Sequence, residues 1–385
     1  MSLNIFFDPV NELLVQGKFE PASLIHYIKI NKEAFPEWQS VNLAIVGLSE
    51  ERGTIDNKGT AKGADVVRKK LYNLKKGAGN LKIADLGNLR CGESLEDTYL
   101  RIKEVCETLI QNNVTPILIG GSHDLDYGQF LAYENYGKPI TFLTVDAEID
   151  MQEREDFGLN KSHSHKILVH KPNIIFHYSH LAYQTFHTDQ DVLAVFEKLF
   201  FEAYRVGQLH ENIEESEPVV RHADLMSFDI GAIRQTDAPG NKNSHSFGLT
   251  GEEACQLCWY AGLNPKMSSI GFYEYNPEED IKEQTAGVLA AMIWYFIEGY
   301  YLRKNDFNAK DPQYTKYIVS LKENPHKLVF YKNSQTEKWW LEVPYSSEKS
   351  GYAEHSVIPC SYNDYKNASN GEIPNRWLLT HAKLS

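Results

Sequence analysis

The chain has 385 residues, 42% of them hydrophobic and 24% charged, a profile that excludes general disorder and provides for a substantial buried core. Its formal net charge of -13 leaves most of the surface repelling a phosphate backbone, so nucleic acid is not an expected partner. This length accommodates one main α/β core with an appendage.

The opening segment MSLNIFFDPV lacks the basic region, apolar run and small-residue cleavage site of a secretory signal, and a cytoplasmic location is expected. Short apolar runs then predict strands at residues 41–47, 81–86, 116–119, 140–145, 174–178, 225–228 and 267–272. Helical periodicity occupies residues 64–75, 95–111 and 189–204 between them. Such alternation predicts a three-layer αβα arrangement around a mostly parallel sheet. The acidic stretch ENIEESE (211–217) reads as a solvated connecting loop.

Cys255 and Cys258 form a C-x-x-C inside EEACQLCWYAG, a helical segment with no second pair to complete a zinc site, and read as small apolar residues. The five cysteines are too scattered for a disulfide framework, and reduced thiols are expected. GVLAAMIWYFI (287–297) is the most apolar stretch. It is too short to cross a hydrocarbon core of about 30 Å and reads as a buried helix, leaving no membrane contact expected. Residues 328–344 alternate apolar and polar around an Asn-Ser turn, as a β-hairpin does. The aromatic, turn-rich remainder completes a small C-terminal appendage, dividing the chain into residues 1–305 and 306–385.

Polar residues cluster just beyond four of the predicted strands, where open parallel sheets form their binding sites. The segments are ILIGGSHD with His123, FLTVDAEID with Asp146, Glu148 and Asp150, LMSFDIG with Asp229, and IGFYEYNP with Glu274. Singly, each aspartate is a turn or cap residue and the histidine an ordinary hydrogen-bonded one. Together, one imidazole and several carboxylates make an oxygen-rich cage suited to Mn2+ or a similar divalent ion.

These segments resemble the motifs of the ureohydrolase family of arginases, agmatinases and formimidoylglutamases. GGSHD is similar to its glycine-rich histidine motif, VDAEID to D-A-H-x-D, and SFDIGAIRQTDAPG to S-x-D-x-D-x-x-D-P-x-x-A-P-G. YEYNPEEDIKEQTA, GLTGEEA and NKGTAKGADVVRKKLY extend the likeness over residues of about 40 to 300. The resemblance implies an arginase-like fold and a metal held by His123, Asp146, Asp150 and Asp229. It implies a second metal sharing Asp146 and Asp229, but Glu148 and Gly231 stand where that metal's own histidine and aspartate belong. Glutamate can still ligate and glycine cannot, so one ion rather than two is expected.

By the same resemblance Glu274 stands where a carboxylate grips the cationic end of the substrate. His163, in a loop with His165, stands where some members keep a proton-shuttling histidine. Arg234 replaces part of the third motif and is read as a substrate contact that also offsets the carboxylate charge. The expected activity is metal-dependent hydrolysis of a C–N bond in a small guanidino or formimino substrate by a homo-oligomer, with formimidoylglutamase chemistry preferred over arginase. The alternative is a degenerate member that keeps the fold as a ligand-binding or structural subunit, for which the substitutions at residues 148 and 231 speak.

Overall fold

Each of the seven predicted strands is present, because a parallel strand covered on both faces is apolar along its whole length and stands out from the helices around it. The computed structural model describes residues 2–80, 82–152, 156, 158–304, 307–321, 327–345, 353 and 355–385. Leu81, the first residue of one predicted strand, and the expected boundary at 305/306 lie outside them.

The first group of strands is β1 (Phe7–Asp8), β2 (Ile28–Ile30), β3 (Leu43–Leu48), β4 (Ile83–Leu89) and β5 (Thr115–Ile119). The second is β6 (Ile140–Val145), β7 (Ile175–Tyr183), β8 (Glu202–Arg205), β9 (Leu225–Asp229) and β10 (Ser269–Tyr273). They form one sheet in the order β1-β4-β3-β5-β10-β9-β6-β7-β8, with β2 also on β4, and only the short β1 runs antiparallel. Helices α1 (Gly63–Leu71), α2 (Leu95–Gln111), α3 (Asp126–Leu131), α4 (His163–Val169), α5 (Gln190–Lys198), α6 (Val206–Glu211), α7 (Glu217–His222), α8 (Gly251–Leu263) and α9 (Gln284–Tyr301) connect the strands. Two buried apolar clusters, one on each face, complete the three layers. Among the described residues no helix is long and apolar enough to cross a membrane.

The strands bearing the four polar motifs are consecutive neighbours: β5, β10, β9 and β6. Their register pairs Ile119 with Phe272, Tyr273 with Asp229, and Phe228 with Val145. The residues that follow therefore leave the sheet at one level and one edge.

Three local expectations need correction. The predicted helix 189–204 ends at Lys198, where Phe200 adopts φ 55° and breaks the helix, and the remainder becomes the edge strand β8. The acidic segment 211–217 is not a loop but helical turns, capped by the Asn212 side chain and continued by α7, which has a proline in its first turn. The turn-rich C-terminus holds α10 (Tyr362–Ser369), opened by a Ser361–Asp364 capping box, and α11 (Asn375–Leu384). The predicted hairpin is β12 (Lys327–Asn333) and β13 (Trp339–Glu342), flanked by β11 (Tyr314–Ser320) and β14 (Val357–Cys360) in a four-stranded antiparallel sheet. All five cysteines are unpaired; on α8, Cys258 is buried and Cys255 half-buried.

The appendage packs Leu328, Phe330, Trp339, Trp377 and Leu384 into an apolar cluster that takes in Phe176 of β7. A polar seam borders it. The His177 imidazole donates through Nε2 to Glu202 at 3.0 Å and accepts at Nδ1 from Lys383. His355 stacks on Phe176 at 3.7 Å. Burial, then the Lys383 charge, lowers His177 to about 4, and burial with Lys266 lowers His355 to about 3.

A folded-state pKa below the ordinary 6.5 means the neutral imidazole stabilises the fold above that pH, and the contribution is lost as pH falls through 4. His177 alone should lose about 2–3 kcal/mol between pH 7 and 4.5. The fall in Tm over that interval should therefore shrink in His177→Gln; an unchanged fall would show that the seam does not set the acid response.

Candidate metal centre

β5 is followed by Gly120-Gly121, and a Cβ on Gly121 would lie 1.7 Å from the Glu50 carbonyl oxygen, so only glycine lets the chain turn there. The turn delivers His123, fully buried, to the sheet edge. β6 delivers Asp146 and, through a short turn, Glu148 and Asp150. β9 ends on Asp229. Glu274 follows β10 with φ 64°, a left-handed conformation that sends its side chain back over the strand ends.

The predicted ligands converge. His123 Nδ1 lies 3.3 Å from Asp146 Oδ2, 3.1 Å from Asp229 Oδ2 and 3.9 Å from Asp150 Oδ2. His163, expected in a loop, opens α4 and enters the same cluster: its Nε2 is 3.3 Å from Asp150 Oδ2, and its ring lies 4.0 Å from that of His123. One ligand atom from each of His123, Asp146, Asp150 and His163 falls within 4.8 Å of the others, and all four residues are buried.

The hydrogen bonds beneath the cluster determine which ring nitrogens face it. Ser227 Oγ donates to Asp126 Oδ2 and so accepts from His123 Nε2 at 2.9 Å, which turns Nδ1 toward the carboxylates. Asp126 Oδ1 accepts from His163 Nδ1 at 3.0 Å, which turns Nε2 the same way. His123 Nδ1, Asp146 Oδ2 and His163 Nε2 are buried without hydrogen-bond partners. Orphaned polar atoms of this kind, backed by a second layer of hydrogen bonds, fit a divalent ion that takes nitrogen and oxygen donors.

The electrostatics agree. Burial together with the Asp229 and Asp150 charges pushes Asp146 well above the usual carboxylate range. Burial lowers the His123 pKa, yet Asp146 and Asp229 more than offset it and hold the imidazole well above its ordinary value. Burial lowers the His163 pKa as well, but Asp126 and Asp150 together outweigh it and push it up to about 9. A bound cation would take the place of these shared protons.

Glu274 is held by three donors of the chain itself. Its Oε1 accepts from the His123 backbone N–H at 2.8 Å and from Asn160 Nδ2 at 3.2 Å, and its Oε2 accepts from Asn57 Nδ2 at 2.7 Å. Burial and the nearby Asp229 push its pKa to about 7. One carboxylate thus ties the His123 turn to two other loops, with lone-pair capacity left for one further donor.

Glu148 turns away from His123. Its Oε2 is 3.2 Å from Lys161 Nζ and its Oε1 is 3.5 Å from His245 Nε2. Lys161 Nζ also lies 3.7 Å from Asp150 Oδ1. Burial raises the Asp150 pKa, but Lys161 and His163 more than reverse this and hold it far below the usual range. At Gly231 the backbone N–H donates to Asp229 Oδ1 at 2.6 Å, and a Cβ there would lie 2.9 Å from that oxygen.

Arg234, expected to offset the carboxylates and contact substrate, is not brought to them. Its guanidinium pairs with Asp237 at 3.0 Å and lines a separate groove of about 970 Å³ between α8 and α9, beside Trp259, Tyr260 and Tyr295. Residues 153–155 and 157, between Asp150 and α4, lie outside the described residues.

Sequence reading missed Asp126, Ser227, Asn57, Asn160, Lys161 and His245. Asp126 carried a signal, since a helical turn starting at His123 places the residue three positions on beneath it. Ser227 alternates with Asp229 along β9 and so shares its face. Asn57 and His245 sit on loops, and Asn160 and Lys161 on a single 3-10 turn, whose paths no periodicity encodes.

The family model described as the arginase family matches residues 41–298. Formimidoylglutamase of Streptococcus gordonii is 23% identical over 299 residues, covering 71% of this chain and 89% of that protein. Among solved structures, formimidoylglutamase from Bacillus subtilis superposes with a TM-score of 0.66 at 19% identity, covering 75% of this chain and 96% of the other. Formiminoglutamase of Trypanosoma cruzi with Mn2+ gives a TM-score of 0.64 at 18% identity, covering 70% and 100%. With its parallel sheet, its strand-end acids and a family match over most of its length, this chain belongs to the arginase family.

Proposed function

We propose that this protein is a metal-dependent hydrolase of a C–N bond in a small substrate carrying a formimino or guanidino group, with the formimino class favoured. The observation that carries the reading is the convergence of His123, Asp146, Asp150 and His163, with three orphaned buried polar atoms, at the carboxyl edge of the sheet. The relatives named formimidoylglutamase support the substrate class.

In this reading His123, Asp146, Asp150 and Asp229 hold one divalent ion, with Mn2+ suited to their donors. When bound, such an ion supplies Lewis acidity, polarising a substrate and lowering the pKa of water. His163, fixed by Asp126, presents Nε2 to the same space and would carry a proton to the leaving nitrogen. Glu274 positions the His123 backbone and keeps a lone pair for a cationic substrate group. Residues 1–305 would carry this chemistry and residues 306–385 form the appendage, in a cytoplasmic homo-oligomer.

One observation favours the second reading, a catalytically degenerate ligand-binding or structural protein. The cavity bounded by Asp146, Glu148, Asp229, Asn241, His245 and Glu274 measures about 10 Å³, room for about one water. Substrate entry therefore requires the 241–245 segment or Lys161 to move.

Protein loaded with Mn2+ should release formamide and the free amino acid from N-formimino amino acids faster than urea from arginine or agmatine. One tightly held ion with no turnover of either class would decide for the second reading. His123→Ala should weaken Mn2+ binding by at least about 100-fold in calorimetry.

Because His123 must give up a proton to ligate, Mn2+ affinity should rise with pH, about tenfold per unit for each proton displaced. Calorimetry in buffers of differing ionisation enthalpy counts those protons, and zero release would contradict the ligand assignment. Glu274→Gln should destabilise the fold by about 1–3 kcal/mol in urea unfolding, because the new amide turns a donor toward donors. An unchanged midpoint would show that Glu274 does not tie the loops.

A further inference from the structure

Asp146, Glu148, Asp229 and Glu274 border one small cavity together with Lys161 and His245, whereas His123, His163 and Asp150 converge with the orphaned atoms beside it. At the cavity the counter-charge comes from the chain. Lys161 Nζ reaches both Glu148 at 3.2 Å and Asp150 at 3.7 Å, with only 23% of its side chain exposed.

The backbone holds it there. The amides of Leu159 and Asn160 both donate to the Gly53 carbonyl, Asn160 is tied to Glu274, and the Lys161 carbonyl accepts from Gln152 N–H at 3.0 Å. His245 closes the far side of Glu148 at 3.5 Å. At Gly231 the remaining wall is bare backbone, and any side chain there would crowd the Asp229 carboxylate.

We infer that the Lys161 ammonium is a built-in cation of the site, which occupies the acidic subsite formed by Glu148 with Asp150 and thereby limits this chain to a single divalent ion. The inference rests on the reading above that His123 and its carboxylates hold such an ion. A tethered ammonium is always present and cannot be chelated away, and it repels a second divalent ion from carboxylates that would otherwise hold one. With Lys161 removed, Glu148 Oε1 and His245 Nε2, 3.5 Å apart, would be left to join Asp146 and Asp229 as donors for that ion.

Mn2+ titrated by calorimetry into the metal-free full-length chain, with bound metal counted by mass spectrometry and Mn2+ coupling read by electron paramagnetic resonance, tests this directly. The natural chain should bind one ion with an uncoupled signal. Lys161→Ala should bind two, give a spin-coupled signal, and hold the first ion on the order of tenfold more tightly because a nearby positive charge is gone. Lys161→Arg should stay at one. Lys161→Met, which keeps the aliphatic stem, repeats the count should the alanine variant misfold.

A Lys161→Ala chain that binds one ion with equal or weaker affinity overturns the inference and leaves the proposed metal centre standing. Two ions in the natural chain also overturn it alone. No ion in the natural chain overturns both.

Discussion

Carboxylates buried side by side repel one another, and the candidate site of this protein is arranged around that repulsion. Asp146, Asp150 and Asp229 are almost wholly enclosed within reach of one imidazole nitrogen. Burial by itself pushes Asp146 and Asp150 toward the protonated form. The fold responds with the imidazoles of His123 and His163, an ammonium from Lys161, and donor atoms turned inward as a divalent ion requires. The sheet makes this concentration of charge possible because four parallel neighbours, β5, β10, β9 and β6, end in register and their hydrogen-bonded backbones hold the acids where they would not go unaided.

Support for the cluster is laid in two layers. Below, Asp126 receives hydrogen bonds from Ser227 and His163 and, through Ser227, orients His123. Above, Glu274 gathers the His123 turn, the Asn57 loop and the Asn160 loop around one carboxylate. Because Asn160 and Lys161 are adjacent, the loop that Glu274 anchors is the one that carries the ammonium to Glu148. Structural hydrogen bonding and charge placement are thus properties of the same few residues, and a change in one propagates to the other.

The C-terminal sheet and its two helices join the main fold far from this centre, over β7 and α7. Arg221 of α7 donates to the carbonyl oxygens of Trp339 and Cys360, and its guanidinium lies 4.4 Å from the Trp340 ring centre. The neutral imidazoles of His177 and His355 complete the seam. Such a contact is sensitive to acid, because charging a buried imidazole costs free energy whichever partner is retained.

By itself, the sequence determined the parts whose signal is local. A fully buried parallel strand is a short apolar run, so all seven principal strands were legible, as were α2 and the burial of α9. The acids at strand ends were legible too, since polar residues directly after such runs have one place to go. Less was legible where period and composition are ambiguous: residues 202–204 read as helix yet pair as an edge strand, and in the C-terminal turn-rich stretch a capping box, not composition, starts α10.

Only the tertiary structure decided what compensates the acids. The family resemblance pointed to Arg234 as the cation among the acids; the folded chain pairs Arg234 with Asp237 and leaves Lys161 to face Glu148. The strand order that makes β5, β10, β9 and β6 neighbours, the left-handed turn at Glu274 and the anchoring of the Lys161 loop on Gly53 all arise from contacts between segments distant along the chain. Long-range pairing of that kind leaves no periodic trace in the residues that make it, because its free energy depends on where both partners lie in space.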